Sequence, residues 1–123
     1  MEKIEKTEGV SFQDFSRKLC LENVMQYSNG NQHFFDCHSV NLLNFVDKVF
    51  SKVAAAGFNC ENDLGVQEKI QLVLVSIYYS YFMSLECEVE YGVNTTPSIN
   101  EQLDELLLQN FGIEKDAVRK PAN

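Results

Sequence analysis

The sixteen residues from Ile70 to Leu85, IQLVLVSIYYSYFMSL, carry no charge and are apolar at most positions. A membrane-crossing helix needs about 20 such residues, and this run is also broken by Gln71, Ser76, Ser80 and Ser84, so it reads as an internal element of a soluble fold. At helical spacing Ile70, Val73, Leu74, Ile77, Tyr81 and Leu85 trace one face, while Leu72, Val75, Tyr79 and Phe82 make the remaining faces apolar too. The β-branched stretch Leu72–Ile77 would also suit a strand. The length of the run and its Glu68-Lys69 start favour a helix from about Val66 to about Leu85. A helix apolar all round is expected at the centre of a bundle, or half in the centre and half in a partner interface.

Three more helices follow from caps and periodicity. Ser11 is placed as an N-cap with Asp14 in the first turn, ahead of Phe12, Phe15, Leu19, Val24 and Met25 on one side. Ser28-Asn29-Gly30-Asn31 ends that helix. Leu42, Val46, Val49 and Val53 define a second helix over 39–56, closed by Gly57 with Phe58 folding back. Asn62 or Asp63 caps the third. Ser98 and Glu101 form a capping-box pattern ahead of Ile99, Leu103, Leu106, Leu107 and Phe111, with Gly112 as the stop. The expected fold is therefore all-α: one helical domain over residues 1–123, a bundle of four to five helices, with 1–10 and 119–123 as loose ends. Residues 31–38 and 86–96 leave open a small hairpin, which would make the fold α+β.

The charge balance narrows the partners. Ten basic residues against 18 acidic ones give a formal charge of -8. Direct nucleic-acid binding and attraction to an anionic membrane both require the opposite sign. The N-terminus MEKIEKTEGV has no apolar signal-like core, so the chain is read as cytoplasmic and Cys20, Cys37, Cys60 and Cys87 as reduced. On that reading the sequon Asn94-Thr95-Thr96 carries no weight.

Two clusters are candidates for chemistry. His33, Asp36, Cys37 and His38 in HFFDCH are zinc-ligand types, but they stand without a second cluster, and no metal or cofactor is expected. Nucleotide-loop, zinc-protease and serine-elbow motifs are absent, and Arg17, Arg119, His33 and His38 are the only arginines and histidines, so no enzyme activity or catalytic residue is expected. The second cluster is acidic. No Lys or Arg occurs between Lys69 and Lys115, while Glu86, Glu88, Glu90, Glu101, Asp104 and Glu105 fall inside that span. If the chain is extended through ECEVEYG the three glutamates share one side; if it is helical, Glu86 and Glu90 do. Glu101, Asp104 and Glu105 are expected to gain from the dipole of the fourth helix. With Tyr79 and Tyr91 as aromatic anchors, the acids read as a face for a basic protein partner. The expected function is a small inhibitor, such as an immunity or anti-defence protein that blocks the basic site of a toxin or nuclease. The alternative is a structural or regulatory module whose third helix pairs with its own copy as a homodimer.

Overall fold

The computed structural model describes residues 10–91 and 96–114, with the side chains of 87–91 and 96–98 outside that description. It is all-helical: α1 Phe12–Ser28, α2 Gln32–Ala55, α3 Leu64–Tyr91 and α4 Thr96–Phe111. Contacts give the directions. Gln13 and Arg17 near the start of α1 bond to Asp47 late in α2, so these two helices run antiparallel. Ser16 and Tyr27 on α1 meet Gln71 and Glu86 on α3, so α1 and α3 run parallel. Lys69 at the start of α3 lies over the ring of Phe111 at the end of α4, and α4 runs back down. The result is an up-down-up-down four-helix bundle built from two hairpins.

The valine stripe behaves as its period requires. Leu42, Val46, Val49 and Val53 are fully buried in α2, facing Ile70, Val73, Leu74 and Ile77 of α3 and Leu103 and Leu107 of α4 in one core. On α1 the core-facing line is Phe12, Ser16, Cys20, Val24 and Ser28, whereas Met25 is exposed. Two serines can sit in this line because each hydroxyl has a partner: Ser16 accepts from Gln71 Nε2 and Ser28 donates to the Met25 carbonyl. Gly57 (φ 99) and Gly112 (φ 71) take the left-handed stops of α2 and α4, a conformation that costs a Cβ-bearing residue, and Ile113 behind the second is buried.

Several sequence expectations are corrected. HFFDCH belongs to α2, which starts at Gln32 because Asn31 Oδ1 accepts from the Phe34 amide and caps it there. Residues 86–91 continue α3, so the extended reading of the three glutamates is wrong, and no strand occurs among the described residues. α4 begins at Thr96, which leaves Ser98 inside the first turn instead of at the cap. Its first turn holds no acid, so the dipole does not account for Glu101, Asp104 or Glu105. Of the two caps expected for α3, Asp63 is the one in place, accepting from the Gly65 and Val66 amides.

The start of α1 is completed from far away. The amides of Phe12 and Gln13 donate to the two carboxylate oxygens of Glu61, at 2.5 Å and 3.2 Å, while Ser11 Oγ takes the Asp14 amide. Three orphan donors of the first turn are thereby met, two of them by an anion placed where the dipole favours it. Asn59 and Gln67 in turn fix the backbone around Glu61. Glu61→Ala is expected to cost about 1–2 kcal/mol, the range for a lost N-cap with charge assistance. A urea midpoint unchanged by that substitution would show that the cap contributes nothing.

Candidate functional site

α3 is a helix with two unlike sides. Ile70, Val73, Leu74, Ile77, Tyr78 and Tyr81 are buried, but Leu72 (61% exposed), Val75 (58%), Tyr79 (67%) and Met83 (42%) are not. Of the two placements expected for this helix, wholly central or half in the core, the burial pattern excludes the first. The exposed residues follow each other at three- and four-residue steps and form a straight line along the helix, beginning at Leu64. Glu68 and Glu86 fall on the same line by the same spacing and are exposed. A groove of about 890 Å³ runs beside its first half, lined by Phe12 of α1 and by Leu64, Gln67, Gln71, Leu72 and Val75.

Of the six acids, Glu86, Glu101, Asp104 and Glu105 have side chains among the described residues. Glu86 accepts a 2.7 Å hydrogen bond from the Tyr27 hydroxyl. Tyr27 is held for this by stacking between Phe82 (4.1 Å between centroids) and Phe34 (5.7 Å). Burial, then the hydrogen bond and the charge of Glu86, push the Tyr27 phenol up to about 12, so it stays a donor at neutral pH. Glu101 and Glu105, one turn apart, are exposed on α4, whereas Asp104 is half-buried. Lys48 of α2 donates to Asn100 of α4, which brings a cation to the start of that helix. The side chains of Glu88, Glu90 and Tyr91 lie outside the described residues.

HFFDCH does not converge on a point. His33 and Cys37 sit four apart on an exposed face of α2, 3.6 Å between Nε2 and Sγ, and Asp36 accepts from Gln32. His38 turns to the other side, where its Nδ1 is hydrogen-bonded to the Tyr81 hydroxyl at 2.7 Å. Among the described residues no three His, Cys, Asp or Glu side chains are grouped as a metal would need. Beside His38, α2, α3 and α4 surround a cleft of about 280 Å³ lined by Asn41, Asn44, Phe45, Lys48, Tyr81 and Asn100. Its rim offers amides and one ammonium over an aromatic floor.

Arg17 and Asp47 form the ion pair between α1 and α2. Burial works against the Asp47 carboxylate, but hydrogen bonds from Arg17 and Gln13 outweigh it and hold its pKa below the ordinary value. Cys20, Cys37 and Cys60 are free thiols, and no described helix is long and apolar enough to cross a membrane.

Comparison with known protein families, curated proteins and solved structures gives no match. Function therefore rests on the geometry. Of the residues singled out from sequence, Tyr79 and Glu86 lie on one exposed line of α3, and Glu101 and Glu105 on the outer side of α4. Tyr27 and Glu68 were not foreseen. The four-residue step from Glu68 to Leu72 was visible in sequence, but no pattern links Tyr27 to a residue 59 positions away.

Proposed function

We propose that this chain is a small acidic protein-binding module for a basic protein, acting as an inhibitor that occupies the cationic active or nucleic-acid-binding site of a toxin or nuclease. The supporting observation is that Glu86, Glu101 and Glu105 face solvent on α3 and α4 in a stretch of chain without Lys or Arg, and that Lys69, the nearest preceding cation, lies over Phe111. Carboxylates so exposed attract a cationic surface beyond contact distance and set the encounter rate more than the final affinity. The paired substitution Glu101→Lys, Glu105→Lys is expected to slow association with the basic partner captured from the native host by about tenfold at low salt and to flatten its salt dependence. Unaltered rate and salt slope would remove the acidic side from the mechanism.

The exposed apolar line of α3 favours a second reading, a module that pairs with its own copy. Sedimentation at several concentrations separates the two, since only self-pairing gives a dimer of the isolated chain.

A further inference from the structure

We infer that the outward line of α3 docks an amphipathic helix of the partner, one whose apolar side is bounded at both ends by lysine or arginine. The inference rests on the protein-binding reading and specifies how contact is made. Leu72, Val75, Tyr79 and Met83 follow at steps of three, four and four residues, the helical rhythm by which one helix accepts the side chains of another. The groove beside Phe12 makes the first half of this line concave, so that anchors from a partner helix can enter it instead of resting on a flat surface. Tyr79, in the middle, is the aromatic type that most often dominates such contacts.

Charge decides what the occupant is. Glu68 and Glu86 flank the Leu72–Met83 part of the line, about 27 Å apart at the helical rise. A second copy laid antiparallel with Val75 against Tyr79 has its two-fold axis at position 77, which sets Glu68 against Glu86 of the other copy twice. A parallel copy sets each acid against itself. Moving the register by a turn to separate the acids leaves apolar side chains uncovered. Every self-pairing thus carries like charges or lost burial, and Lys69, the one cation in the sequence of α3, lies over Phe111. A foreign helix with a cation near each end meets both acids favourably, and its two cations should stand about 18 positions apart, matching the separation of the acids at the same rise. A line of this length gives a contact at the small, transient end of interface sizes, so discrimination rests on the terminal charges.

The test uses a fluorescein-labelled, alanine-based helical peptide with leucines at the matching spacing and a lysine beyond each end, titrated with the full chain and read by anisotropy. Saturable binding is expected. Tyr79→Asp and Val75→Asp are each expected to weaken it by about tenfold or more, and a peptide with glutamate in place of both lysines by a similar factor. Both positions are exposed, so circular dichroism of the variants should be unchanged, which separates lost contact from lost fold. No saturable binding, equal binding of the acidic peptide, or indifference to Tyr79→Asp and Val75→Asp would overturn the inference. So would a stable dimer of the isolated chain that Val75→Asp dissolves. If the α4 charge reversal slows the native partner while the α3 variants do not, the chain remains an acidic binder with its contact elsewhere. The converse result retains helix docking on α3 and discards acidic steering.

Discussion

Ile77→Asp is expected to leave the chain unfolded at room temperature, whereas Val75→Asp, two residues earlier on the same helix, is expected to leave its stability within about 0.5 kcal/mol of the parent. Ile77 is completely buried between the α2 and α4 sides of the core. Truncating such a side chain alone costs about 2–5 kcal/mol. A carboxylate there adds the desolvation of a charge with no cation in reach, or of the neutral acid after its pKa has risen, several kcal/mol in either case. The sum exceeds the lower end of the roughly 5–15 kcal/mol by which single domains are stable. Val75 is 58% exposed and loses little by becoming polar. A cooperative, helical Ile77→Asp protein would mean that α3 is turned about its axis relative to the arrangement described.

Alkaline destabilisation is the second large effect. Cys20 is wholly buried against Tyr78, and burial pushes its thiol from 9.0 to about 11. Burial first, and then the neighbouring Cys20, raise the Tyr78 phenol as well. In the unfolded chain the thiol ionises near 9.0, while the folded protein holds the proton until about 11. Between these values the unfolded state binds fewer protons, so stability falls as pH rises; below 9.0 the contribution is fully present. Two pH units of difference correspond to on the order of 2–3 kcal/mol. Urea midpoints through this window should decline steeply for the parent and less steeply for Cys20→Ala. Equal slopes would show that the thiol is not sealed from water.

These effects mark where sequence reasoning succeeds and where it stops. The stripe Leu42, Val46, Val49, Val53 was legible because it alternates with polar positions, and period alone then fixes the buried side. α3 offered no such contrast. Leu72 and Val75 are as apolar as Val73 and Leu74, so composition could not say which side, if any, stays open, and only packing against α1, α2 and α4 selects it. Local chemistry located Ser11, Gly57 and Gly112 because the chemistry lies within one turn of its effect. It misplaced the start of α4, where Ser98 and Glu101 have the spacing of a box but the helix is already under way. The acids were legible as a count, not as a surface. The Tyr27–Glu86 and Lys48–Asn100 contacts depend on how helices are laid beside one another, which no run of adjacent residues records.

The clasp of Glu61 on the first turn of α1 has a kinetic meaning. A growing chain that has reached Ala55 possesses the whole first hairpin, yet the carboxylate that finishes its opening turn has not been synthesised. The amides of Phe12 and Gln13 can meet that carboxylate only after the segment leading into α3 has been made. In the mature protein the same carboxylate ties the first turn of α1 to the segment ahead of α3, where Gln67 holds the Glu61 carbonyl, so one side chain joins the two hairpins.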